Sequence, residues 1–148
     1  MRGAAMQRRV VHVRNVDDYP NSWAQLVQEL IDRPGWSQQR LADESGIDRG
    51  TIRRWRTGES ANVSAGTVRL IADAAGIDQD IAARAAVGAQ DAAKDDEIVR
   101  EVEAAKNIDE GYRRQIIDMI HRKRAEAEAS LRRDIRLMLQ RPPEEQAS

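Results

Sequence analysis

Cysteine is absent from the 148 residues, and so is phenylalanine. Without cysteine there is no disulfide, no thiolate nucleophile and no thiolate metal site. The lack of phenylalanine, with few β-branched runs, argues against a sheet protein. No apolar run approaches the ~20 residues that a membrane span needs. The opening stretch MRGAAMQRRVVHVRN carries arginines but no secretory apolar core of adequate length, so a cytoplasmic location is expected. His12 and His121 stand alone, with no ligand or acid–base partner in sequence reach. There is no glycine-rich phosphate loop and no histidine pair, and the acids of DDE (95–97) are ones that a helix start favours anyway. No catalytic residue, metal, cofactor or small-molecule site is therefore expected.

What is present is helical. Alanine, glutamate, arginine and leucine recur at helical spacing, which argues for an all-α fold. The length suits one domain, or one small domain with an appendage. Formal net charge is only −1, so the total announces no polyanionic partner. The distribution is more telling: residues 67–106 hold five basic and nine acidic side chains, and the flanks are mildly basic. Arginine outnumbers lysine 21 to 3.

Along the chain, residues 1–20 show no helical period. RVVHVR (9–14) reads as a strand without a partner strand, so 1–20 is expected as a flexible arm. A first helix begins at SWAQ, with Ser22 as cap and Gln25 reaching back to it. Trp23, Leu26, Val27, Leu30 and Ile31 form its apolar stripe, and RPG (33–35) ends it. Ser37 caps a second helix, where Trp36 and Leu41 have the spacing of a hydrophobic staple. Gly46 closes that helix in the left-handed region. Asp48 caps a third, 49–56, which stops at Thr57-Gly58. Ser64 starts a fourth, stopped by Gly76, and Asp78 caps a fifth. VGAQDAAKDD is small, polar and aperiodic, so 88–95 is expected to be a linker. A short helix over 96–106 follows. Asn107 and Glu110 have capping-box spacing for one long helix, about 108–140, with the stripe Ile116, Ile120, Ala127, Leu131, Ile135 and Met138. Arg124 interrupts that stripe. Pro142-Pro143 ends the helix, and 142–148 is a polar tail.

The third helix is the most informative element. At about 100° per residue, Thr51, Ile52 and Trp55 share one side and must face a core. Arg49, Gly50, Arg53 and Arg54 share the other, and Arg56 sits on the shoulder. A helix this short is not stable alone and must be propped by its neighbour. No acid lies one turn away on this helix to offset the arginines. A propped helix with a cationic front suits the DNA major groove, where arginine bonds guanine in bidentate fashion. The ordinary alternative is a solvated charged face. The tryptophans have core positions: Trp55 in the helix pair, Trp36 as staple, Trp23 on the first helix.

The stretch SQQRLADESGIDRGTIRRWRTGE resembles the helix-turn-helix of the lambda-repressor/Cro-like family. Gln38, Leu41-Ala42, Gly46, Ile47, Ile52, Trp55 and Gly58 carry the resemblance, and the five-helix layout over 21–87 agrees with it. Ser45 departs from it, standing where the family has an apolar residue. The resemblance implies an all-α, five-helix lambda-repressor-like DNA-binding domain, here followed by a C-terminal helical region (96–141) with one long helix. It implies that Arg49, Gly50, Arg53 and Arg54 contact base edges. It places Gln38, Asp48, Thr51, Thr57, Ser60 and Asn62 near phosphates, and Arg56 is also expected there. The charge of Asp48 would repel phosphate, so it is expected to cap the helix instead.

The remaining expectations concern the two ends. Arg2, Arg8, Arg9 and Arg14 are candidates for an arm in the minor groove. The long helix has three readings: homodimerisation through its stripe, folding back onto its own chain, or holding DNA backbone with Arg122, Lys123, Arg133 and Arg136. The whole arrangement is loosely similar to immunity repressors of actinobacterial phages. The implied function is a sequence-specific transcriptional regulator of repressor type bound to a double-stranded DNA operator. The alternative is a protein-interaction module, an antitoxin or host-factor adaptor, acting through the long helix.

Overall fold

A computed structural model describes residues 15–140. The expectations for Arg2, Arg8, Arg9, Arg14 and the 142–148 tail fall outside them. The described residues form a short 3-10 turn, Val16–Asp18, and six α-helices, with no strand. The helices are α1 (Ser22–Ile31), α2 (Gln38–Ser45), α3 (Arg49–Thr57), α4 (Ala65–Ala75), α5 (Gln79–Ala104) and α6 (Glu110–Leu139).

Most helix starts lie where the sequence places them. Ser37, Asp48, Ser64 and Asp78 each accept a hydrogen bond from the backbone N–H three residues on. This satisfies one of the donors that a helix start leaves unpaired. Two caps differ from expectation. Asn21, not Ser22, caps α1, its Oδ1 accepting from the Ala24 N–H at 2.8 Å. Asp109, not Asn107, caps α6 by accepting from the Tyr112 N–H. Residues 15–20, expected to be flexible, belong to the fold: Tyr19 is buried, and the Asp18 N–H donates to the Asn15 carbonyl at 2.9 Å.

α1 is the central element. Its apolar stripe lies in the core as expected, but its polar side is buried too: Ser22, Gln25 and Gln28 are all enclosed. The cause is the C-terminal half of the chain. The Ser22 hydroxyl donates to the Ala85 carbonyl of α5 at 2.8 Å, and the Gln25 amide donates to the Arg132 carbonyl of α6 at 3.0 Å. A helix covered in this way must find partners for its polar groups internally; these two bonds serve the Ser22 hydroxyl and the Gln25 NH2, while the Gln25 Oε1 and the Trp23 indole N–H are buried without a partner.

The expected 88–95 linker is helix. α5 runs unbroken from Gln79 to Ala104 and absorbs the separate 96–106 helix. The low hydropathy of this stretch reflects small side chains rather than a loop. Ala85, Ala86, Gly88 and Ala89 are buried against α1, where a Cβ on Gly88 would collide with Ser22 Oγ. Alanine is also the strongest helix former.

α6 folds back antiparallel along α5 and reaches α1. Leu131, Ile135, Met138 and Leu139 are buried in the same core as Trp23 and Ile71. The stripe expected for dimerisation is thus largely used within the chain, though Ala127 stays exposed. Arg124 is the join rather than a flaw. It pairs with Asp95 of α5 and, at 3.0 Å, with Glu128. Glu128 is buried and also holds Arg132 at 3.0 Å. Burial works against the charge of Arg124, but the hydrogen bonds to Asp95 and Glu128 outweigh it and raise its pKa.

Candidate nucleic-acid interface

The site is built on the tight turn that joins α2 to α3. Gly46 sits at φ 76°, a conformation that glycine adopts without strain. Ser45 precedes it and is buried. Its hydroxyl donates to the Leu41 carbonyl at 2.6 Å and accepts from the Ile47 N–H at 3.1 Å. A polar residue at this inward position is therefore fully bonded and helps to tie the turn. Asp48 then accepts from the Thr51 N–H at 3.2 Å and starts α3, so it caps the helix as expected. A Cβ on Gly50 would lie 2.8 Å from Asp48 Oδ2. The glycine thus leaves room for the cap, a reason the sequence reading missed.

The back of α3 is locked. Ile52 and Trp55 are 0% and 2% exposed. Trp55 meets Trp23 of α1 edge to face, with ring centroids 5.4 Å apart at 84°. Aromatic pairs favour this geometry because the positive ring edge meets the negative face. Trp36 lies partly against the core, flanked by guanidinium groups of Arg40 at 4.0 Å and Arg33 at 5.1 Å.

The front divides more finely than expected. Arg49 and Arg53 are exposed and, among the described residues, make no ion pair or hydrogen bond. Arg54 is half-buried, and its Nη2 donates to Thr51 Oγ1 at 3.2 Å. It lies along its own helix rather than projecting. Gly50 and Thr51 are half-buried beside it.

The residues expected at phosphates also separate. Arg56 does not project as a free cation. Its Nε donates to Gln28 Oε1 at 2.7 Å, and its Nη1 donates to Gln38 Oε1. Gln28 in turn donates to Asp32 Oδ1 at 3.0 Å. Arg56 is therefore a brace between α1, α2 and α3. The Gln38 carbonyl oxygen thus serves Arg56, and its amide NH2 makes no hydrogen bond among the described residues. Thr57 is exposed; its hydroxyl donates to the Arg54 carbonyl at 3.1 Å and accepts from the Glu59 N–H. The Ser60 N–H donates to the same Arg54 carbonyl at 3.2 Å, while Asn62 is exposed in the loop that follows.

Replacing Arg56 with alanine tests the brace. Stability should fall by about 1.5–3 kcal/mol, the range for hydrogen bonds to a charged group, in a thermal unfolding comparison with the parent. An unchanged melting temperature would show that the contacts contribute nothing.

Of the four basic residues expected on the outer face of α6, Arg122, Lys123 and Arg133 are exposed. Arg136 is not among them. It faces α1, where it pairs with Glu29 at 2.6 Å, a hydrogen bond that raises its pKa. It stands on the side of α6 that meets α1, a contact between helices far apart in sequence that the spacing within α6 does not reveal. Arg33 was not foreseen at all. It is buried, donates to the Ala75 carbonyl at 3.2 Å, and burial lowers its pKa, with Arg40 adding to the effect. The three- and four-residue spacing of Arg33, Trp36 and Arg40 was the available signal.

The described residues contain no cluster of three or more His, Asp or Glu able to hold a metal. None of their helices is long and apolar enough to cross a membrane. Residues 27–78, from within α1 to the cap of α5, match the family model of the helix-turn-helix. This segment is a helix-turn-helix. The match supports the lambda-repressor/Cro-like family and a DNA-binding transcription regulator, and that family is generally non-enzymatic. No curated protein and no solved structure matches the chain. The match covers the five-helix part only as far as Asp78; all of α5 and all of α6 lie beyond it.

Proposed function

We infer that the chain is a sequence-specific repressor of phage or mobile-element type, which acts by occupying a double-stranded operator. The observation that carries this reading is the asymmetry of α3. Arg49 and Arg53 are free on the front of a helix whose back, Ile52 and Trp55, is immobilised in the core. Two unpaired guanidinium groups one turn apart repel each other by about 0.2–0.5 kcal/mol, and an anion that meets them both turns this into attraction. The major groove accommodates one helix, and guanine presents two acceptors to each arginine. Gln38 faces a phosphate with its amide, and the exposed Thr57 and Asn62 flank the same strand. Phosphate contacts of this kind set register, while the arginines specify sequence. Arg54 reads a base only after leaving Thr51.

The test is selection of bound sites from a random DNA pool, followed by titration of variants on the selected site. Arg49→Ala and Arg53→Ala should each lose about 1–3 kcal/mol of discrimination at one base pair. Gln38→Ala should weaken binding to all sequences alike. Full operator affinity in the Arg49/Arg53/Arg54 triple alanine variant would overturn the reading.

A further inference from the structure

A relay of hydrogen bonds runs from Asp32, the C-cap of α1, through Gln28 and Arg56 to Gln38, the first residue of α2. Chemistry forces its order. Arginine has donors and no acceptor, and a carboxylate accepts only. Gln28 therefore turns its carbonyl oxygen to Arg56, at 2.7 Å, and its NH2 to Asp32, at 3.0 Å. Gln38 likewise gives its carbonyl oxygen to Arg56. The fixed end of the relay is Gln28, which is 6% exposed. Arg56 and Gln38 are half-buried. Two bonds from two nitrogens of one planar group hold the guanidinium in place, and through it the amide of Gln38.

We propose that Arg56 is a positioning residue for DNA binding, which locks the Gln38 amide so that only its NH2 is left to bond a phosphate. This role rests on the reading of Gln38 as a phosphate contact and sets Arg56 one step behind the phosphate rather than at it. A phosphate oxygen accepts and does not donate. A glutamine free to turn about its last bond presents its carbonyl oxygen as readily as its NH2, and that oxygen repels the phosphate. Arg56 removes the wrong state, so the side chain is ordered before binding rather than during it. A cation on the carbonyl oxygen also polarises the amide, which makes the NH2 a stronger donor. Because the contact is to backbone, the effect falls alike on all sequences.

Two measurements decide the matter, the first without DNA. In the free protein, the amide heteronuclear NOE of the Gln38 side chain should approach the values of the α2 backbone, well above that of the exposed Gln115. Arg56→Met should release it to the Gln115 level while the α2 backbone values stay. A Gln38 NH2 as mobile in the parent as that of Gln115 overturns the proposal, whatever the protein binds.

The second measurement is a double-mutant cycle on the selected operator. Gln38→Ala and Arg56→Met should each weaken binding by about two- to tenfold. Arg56→Met also removes a charge and some stability, and those losses arise in any background. The positioning part arises only where Gln38 is present. The loss caused by Arg56→Met should therefore be at least about twofold smaller in Gln38→Ala than in the parent. Gln28→Met keeps the charge of Arg56 and loosens it from the α1 side. It should act in the same direction with the same dependence on Gln38, and it decides the question if Arg56→Met does not fold. Losses of the same size in both backgrounds overturn the proposal and leave the phosphate contact of Gln38 standing. Operator affinity untouched by Gln38→Ala removes that contact, and the positioning role with it.

Discussion

Ending the chain at Ala105 should leave the helix-turn-helix without a stable fold. The removed α6 contributes Leu131, Ile135, Met138 and Leu139 to the common core. Burying a side chain of this size stabilises by about 1.5–3 kcal/mol, so the four together amount to about 6–12 kcal/mol. That is comparable to the whole stability of an ordinary domain, about 5–15 kcal/mol. The truncation also strips the cover from α1. Gln25 loses the Arg132 carbonyl, and Glu29 loses Arg136. Thermal unfolding followed by circular dichroism checks this. The shortened chain should show no cooperative transition, or one tens of degrees below the parent. A cooperative melt within a few degrees of the full chain would show instead that the first five helices stand by themselves. If the expected result holds, deleting the C-terminal region cannot separate a DNA-binding role from a partner-binding one, because it removes the fold with the partner. A surface variant such as Arg53→Ala, which leaves the fold in place, tests the DNA-binding role by itself.

Trp55→Ala should have the second-largest effect. Removing a buried aromatic of this size costs about 3–5 kcal/mol. The edge-to-face contact with Trp23 adds about 0.5–1.5 kcal/mol that no other residue replaces. The loss falls on the helix proposed to read DNA, which has nine residues and is too short to hold its helix without packing. Urea denaturation should show a lower midpoint with little change in slope, and operator binding should fail with it. Arg53→Ala makes the contrast: operator binding drops while the midpoint stays, because its side chain is exposed. A Trp55→Ala protein as stable as the parent would mean that the indole does not fasten α3 to α1.

The first half of the fold was legible because its signals are local. Ser37, Gly46, Asp48, Ser64, Gly76 and Asp78 act on the turn in which they stand, so residue type and spacing suffice to place them. Ile52 and Trp55 could be assigned to the core for the same reason. The second half depends on contacts far apart in sequence. VGAQDAAKDD reads as a linker until Ser22 is found against Gly88, since small residues signal either a loop or a close crossing and only the neighbour decides. Arg124 reads as a defect until Asp95 is found opposite it. The polar side of α1 gives no hint that it will be buried, because Ser22 and Gln25 bond to carbonyls of α5 and α6 that no local pattern reveals. At the candidate site the sequence separated the front of α3 from its back. It could not separate Arg49 and Arg53, which are free, from Arg54 and Arg56, whose partners lie on α1, α2 and α3.

The unbroken course of α5 has a consequence for how length is measured in this molecule. A linker would give the hairpin tip a spread of positions. A helix gives it a rigid offset from the core, counted in residues. Each residue inserted into α5 between Ala89 and Asp95 would advance the rest of that helix by about 1.5 Å and rotate it by about 100°. Seven residues added to α5 and matched by seven in α6, close to two full turns, would lengthen the hairpin with its faces nearly unchanged, whereas two would turn Asp95 and Val102 away from α6 and break the pairing. Drift in the length of this segment is therefore quantised, and the hairpin works as a ruler with a marked edge.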